Sequence, residues 1–153
     1  MKRTIGSIFL LVLCTAAAYG GDATVDAMVT AGPNGRELTA YTADAQKLYA
    51  TFKTKDVANG DKIRGVWIAD EVGEAAPAGT IIDEKTLPMD GDTEDGEFSL
   101  SKPTMGWPLG KYHIEIYVND HLTTKVTFEI KAAGKSKKDK DEDEGKSGGT
   151  SEI

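Results

Sequence analysis

Cysteine is almost missing from this chain of 153 residues: Cys14 is the only one. It falls inside an N-terminal stretch with the marks of a cleaved leader. The remaining chain is therefore expected to hold no disulfide, and its core must keep it folded without a covalent link. Asparagine occurs at Asn34, Asn59 and Asn119 alone, and none of them opens an Asn-x-Ser/Thr sequon. Two histidines, His113 and His121, are too few to bind a metal without help from Glu115 or Asp120, so both are expected to be solvated surface residues. No Gly-x-Ser-x-Gly elbow is present. No glycine-rich phosphate loop leads into a helix, because no stretch has convincing helical periodicity. The apolar run Ile5 to Cys14 is too short to span a membrane.

The first twenty residues carry export signals instead. Lys2 and Arg3 form a positive head, Ile5 to Cys14 an apolar centre, and Ala16-Ala17-Ala18-Tyr19-Gly20 a small-residue cleavage region. Residues 1–20 are thus a predicted signal peptide cut before Gly21, with a cut after Ala18 as the second choice. Lipidation at Cys14 is disfavoured by the bulky Leu13 before it and by its place early in the apolar centre. The expected location is secreted or periplasmic. An exported chain without disulfides is more typical of a bacterial extracytoplasmic protein than of an animal extracellular module.

Net charge is −7, and setting aside Lys2 and Arg3 takes it to −9 for residues 21–153. From Lys131 onward six lysines cancel six acids, so the whole −9 rests on residues 21–130. Such a surface repels phosphate backbones and anionic membrane, which argues against nucleic acid and suits a cationic partner.

What is present is alternation. Gly106-Trp107-Pro108-Leu109-Gly110-Lys111-Tyr112 forms a turn that feeds two alternating runs. Tyr112, Ile114, Ile116 and Val118 share one face of the first run. Leu122, Thr124, Val126, Phe128 and Ile130 share one face of the second. Period two with β-branched and aromatic residues is the mark of half-buried strands. A two-residue loop at Asn119-Asp120 would pair Val118 with His121 and turn the second apolar set outward. A three- or five-residue loop is therefore expected, with Asn119 or Asp120 left-handed, and with Ile116 and Ile114 meeting Thr124 and Val126. Tyr112, just after a Pro/Gly turn, fits the tyrosine corner of immunoglobulin-like sandwiches.

Upstream, strands are expected at Thr24 to Thr30, Glu37 to Thr42 (a short edge), Lys47 to Lys55, Lys62 to Ala69, Thr80 to Leu87 and Glu97 to Ser101. Turns or loops lie between them. Ile63 and Trp67 on one face, with Val66 and Ile68 toward the other, make Lys62 to Ala69 a central strand. Trp67 matches in kind the buried tryptophan of immunoglobulin-like domains. The expected fold is all-β: an immunoglobulin-like antiparallel β-sandwich of seven or eight strands over residues 21–130. Residues 131–153, rich in Lys, Asp, Glu, Gly and Ser, have almost nothing to bury and read as a disordered charged tail.

The stretch from Leu48 to Ile130 resembles uncharacterised secreted bacterial proteins with an immunoglobulin-like sandwich. The resemblance rests on Asp61-Lys62-Ile63-Arg64-Gly65-Val66-Trp67-Ile68-Ala69 and on Gly106-Trp107-Pro108-x-Gly110-x-Tyr112. It departs at Asp120, where such hairpins often have Gly. It implies a module and carries no catalytic residues across.

Candidate sites are few. Tyr49, Trp107 and Tyr117, with Tyr41, would form a binding patch if exposed together. Trp67 and Tyr112 have structural roles. Asp90 to Glu97 resembles a calcium loop, but Asp95 and Ser101 stand where an EF-hand wants Gly and Glu, so weak calcium binding is the most it supports. No catalytic residue, cofactor or metal site is predicted. The expected function is a noncatalytic, exported binding or structural module contacting another protein or an envelope component. The alternative is a small hydrolase or carbohydrate-active domain using loop carboxylates at Asp70-Glu71, Asp83-Glu84 or Asp90 to Glu97, which would need a deep cleft and a raised carboxylate pKa. An accessory chaperone working by strand addition would need Glu37 to Thr42 as an open edge.

Overall fold

Side-chain alternation becomes two facing sheets. The computed structural model describes residues 23–91 and 95–134. The strands are β1 (Thr24–Thr30), β2 (Ala40–Thr42), β3 (Lys47–Lys55), β4 (Lys62–Glu71), β5 (Thr80–Pro88), β6 (Asp95–Ser101), β7 (Gly110–Val118) and β8 (His121–Lys131). One sheet has the order β1-β3-β6, the other β2-β8-β7-β4-β5. All neighbours run antiparallel except β2, which lies parallel to the end of β8. The only helical turn among the described residues is the 3-10 turn Gly73–Ala75. This is an immunoglobulin-like sandwich of eight strands. The predicted signal peptide, most of the predicted tail and Asp92 to Glu94 of the acidic loop lie outside the described residues.

The even-numbered side chains Leu48, Ala50 and Phe52 of β3 and Phe98 and Leu100 of β6 face Ile63 and Trp67 of β4, Ile114 and Ile116 of β7, and Phe128 and Ile130 of β8. Burying each large apolar side chain contributes about 1.5–3 kcal/mol, which is how the fold manages without a disulfide. Phe128 is an aromatic hub. Tyr41 and Trp67 meet it edge-on at 5.6 and 5.9 Å, and Tyr112 stacks on it at 5.6 Å. Between the sheets, the Thr124 hydroxyl donates to the Val25 carbonyl at 2.6 Å.

Two expectations change here. The edge expected over Glu37 to Thr42 shrinks to the three residues of β2, because Glu37 only bridges back to Thr30. The β7–β8 loop is also even, not odd. Val118 pairs with His121 across a two-residue turn in which Asn119 and Asp120 both have positive φ, 48° and 68°, the type I′ turn that fits strand twist. Thr124, Val126, Phe128 and Ile130 still face the core, since a bulge between Ile116 and Tyr117 opposes them with one extra residue, Thr123, whereas Leu122 turns to the outer face beside Tyr117. Ile116 then meets Thr124 and Ile114 meets Val126. These are the pairs that parity requires, and a bulge rather than the loop supplies the odd residue.

Candidate functional site

The Trp107 turn is fixed first. The Tyr112 hydroxyl donates to the Pro108 carbonyl at 2.6 Å, the geometry of a tyrosine corner, and burial raises its pKa. Trp107 is 6% exposed, and its indole N–H donates to the Ala45 carbonyl at 2.6 Å. Tyr41 is equally buried. Its hydroxyl lies 2.6 Å from the Thr30 carbonyl and 2.8 Å from the Tyr49 carbonyl, and accepts the Tyr49 N–H at 2.9 Å. Trp107 and Tyr41 are thus anchors of the scaffold, and the condition for an aromatic patch, joint exposure with Tyr49 and Tyr117, is not met. Tyr49 and Tyr117 stay half-buried, but they project from the outer faces of two different sheets.

The outer face of the five-stranded sheet holds a polar chain that spacing alone could not reveal. His113, Glu115 and Tyr117 alternate along β7, and antiparallel pairing with β4 brings Asp70 and Arg64 beside them. His113 is 4% exposed, against the expectation of a solvated residue. Its Nδ1 lies 2.6 Å from Asp70 Oδ2 and its Nε2 lies 3.3 Å from Glu115 Oε1. Both ring nitrogens can donate to these carboxylates only in the doubly protonated ring. The Tyr117 hydroxyl donates to Glu115 Oε2 at 2.6 Å. That bond, with a smaller contribution from His113, holds the Glu115 carboxyl below its ordinary pKa, and the same bond raises that of Tyr117. The Arg64 guanidinium lies over the Tyr117 ring, 4.3 Å from its centre, and reaches Glu84 and Asp120 at 3.4 Å each. The register continues the row: Thr86 pairs with Arg64, Arg64 with Tyr117, and Tyr117 with the half-exposed Leu122. Val66 and Ile68 are buried on this same face, outside the main core cluster.

The acids proposed for hydrolysis are dispersed. Asp70 and Glu71 close β4 rather than a loop, against His113 and Lys111 (2.8 Å). Asp83 and Glu84 stand in mid-strand on β5, also not in a loop. A shallow recess of about 400 Å³ brings Asp70 near Glu129, but Glu129 is paired with Lys131 at 3.0 Å. No group of three or more metal-binding side chains occurs among the described residues. Nor is any of their helices long and apolar enough to cross a membrane. His121 is exposed at the start of β8.

No protein-family model matches the chain, and no curated protein matches it. Among solved structures, an immunoglobulin-like protein from Pseudomonas aeruginosa is similar, with a TM-score of 0.50 and 13% identity over 72% of this chain and 98% of that one. An alkylpurine DNA glycosylase from Pseudomonas fluorescens, bound to DNA with an abasic site analogue, matches at a TM-score of 0.45 and 17% identity. That match covers 74% of this chain and 32% of the glycosylase. A β-glucosidase from Listeria innocua with isofagomine matches at 0.45 and 9% identity, over 71% of this chain and 16% of the enzyme. At these identities the likeness is one of fold.

Proposed function

We propose that this chain is a noncatalytic, exported module that binds another protein or an envelope component through the outer face of its five-stranded sheet. The observation that carries this reading is the row Thr86, Arg64, Tyr117, Leu122. It sets an arginine stacked on a tyrosine beside a leucine that is 53% exposed, on a rigid four-strand platform. Tyrosine and arginine are the side chains that dominate protein contacts. Their positions here are fixed before binding, which lowers the entropy lost on association. The acidic domain surface favours a partner with a basic contact surface.

A carboxylate-dependent hydrolase has less support. The carboxyls of Asp44, Asp61 and Glu115 are each displaced downward, opposite to what a general acid needs.

The test is site-specific photocrosslinking of the chain in bacterial envelope extract. A probe at Leu122 should give a discrete adduct that Tyr117→Ala abolishes. A probe at Thr51, on the outer face of the other sheet, should give none. Absence of an adduct at Leu122, or equal adducts at both positions, would overturn the proposal.

A further inference from the structure

A recess of about 620 Å³ opens where β2 and the start of β3 meet the turn after β1. Two cations, Arg36 and Lys47, line it, and no carboxylate does. This is unusual on a domain whose acids far outnumber its bases. Both cations are exposed, and among the described residues neither is in an ion pair. Of the other lysines and arginines among the described residues, only Arg64, Lys111 and Lys131 are matched with acids. Half-buried Tyr49 and the apolar residues Leu38, Ala40 and Ala45 also line it, with the polar Thr42 and Gln46.

The backbone that carries these cations is pinned. Ala31 N–H bonds to the Arg36 carbonyl at 3.1 Å and Gly35 N–H to the Gly32 carbonyl at 2.8 Å, closing the turn that presents Arg36. The Ala45-Gln46-Lys47 segment is held by the Trp107 indole on the Ala45 carbonyl and by Lys102 N–H on the Gln46 carbonyl at 2.9 Å. The Tyr41 hydroxyl ties Thr30 to Tyr49 beneath them. Fixed walls reduce the cost of ordering a site.

We infer that this recess binds a small organic carboxylate, with its anionic group between Arg36 and Lys47 and its ring body against Tyr49. Charge-assisted hydrogen bonds from arginine and lysine favour a carboxylate. A mixed apolar and polar wall of this volume suits a single ring-sized ligand. The ring could come from an acidic sugar or from an aromatic acid. The recess shares no residue with the Tyr117 row, so this inference and the protein-binding proposal stand or fall separately.

The test is an amide NMR titration of the whole chain at low ionic strength with glucuronate, benzoate and glucose. Glucuronate or benzoate should shift Arg36, Lys47 and Tyr49 saturably, and whichever saturates identifies the ring body. Affinity should fall roughly tenfold in Arg36→Ala, in Lys47→Ala and in about 0.5 M salt. Lys53→Ala, on the same strand outside the recess, should leave it unchanged. Both recess variants replace exposed, unpaired side chains and should keep the wild-type thermal midpoint. Equal shifts with glucose, binding that survives both substitutions, or no saturable shift with either acid would overturn the inference.

Discussion

Phe98 of the three-stranded sheet packs directly over Gly65 of the five-stranded one: a methyl group on Gly65 would come 2.7 Å from the Phe98 ring. The glycine is there for space, at the centre of β4, where Ile63 and Trp67 on either side are buried. Gly65→Ala should therefore destabilise by about 1–3 kcal/mol through overpacking. Denaturant unfolding checks this. Adding Phe98→Leu should make the two substitutions strongly non-additive, because the smaller side chain vacates the contact.

The tyrosine corner gives a cleaner measurement. Tyr112→Phe removes one hydroxyl and leaves the ring stacked on Phe128. The Pro108 carbonyl then loses its partner in a part-buried site, at a cost of about 1 kcal/mol. The denaturant midpoint should fall with an unchanged slope.

At the hairpin tip, Asp120 holds φ at 68°, a conformation that glycine adopts without a steric penalty. Asp120→Gly would create Asn-Gly, the favoured type I′ pair. The substitution sacrifices an ion pair to Arg64 at 3.4 Å, but the Asp120 side chain is 88% exposed, so that loss is small. Stability should rise by roughly 0.5 kcal/mol, measured by thermal or denaturant unfolding.

Glu115 supplies a pH dependence. Its folded pKa lies below its ordinary value, first because of the Tyr117 hydroxyl and then because of His113. Its contribution to stability is therefore full above the unfolded-state carboxyl pKa and is lost as pH falls through the lower folded value. Tyr117→Phe should cost about 1 kcal/mol near neutral pH, and the gap to wild type should close in acid, once the pH has fallen below the lowered folded pKa of Glu115. A gap that persists in acid would mean that the hydroxyl acts otherwise than through the ionised carboxylate.

The His113 cluster predicts a larger loss. His113→Ala would leave Asp70 without its 2.6 Å partner and would open a gap in a residue position only 4% exposed. Destabilisation of about 2 kcal/mol or more is expected, read from denaturant unfolding.

Local pattern was sufficient for the strands and for the sandwich. A period of two identifies a buried face wherever one exists, and β1 and β3 begin and end where the alternation does. The Trp107 turn, the Tyr112 corner and the central place of β4 were legible for the same reason: the residues that signal each one lie within a dozen positions of one another. The loop was misjudged because a bulge is invisible to a parity count, and Thr123 differs in no way from its neighbours as a sequence symbol. The exposure of His113 was misjudged, and the partners of Trp107 were not legible, because burial depends on what lies across the sheet, not along the strand. Asp70 stands 43 residues from His113, and Ala45 stands 62 from Trp107. The amino-acid order alone determined that apolar side chains would gather into two layers without a disulfide. Strand register and the closing of the turns decided which polar groups those layers would bring together, because distant hydrogen-bond partners meet only once the chain is paired.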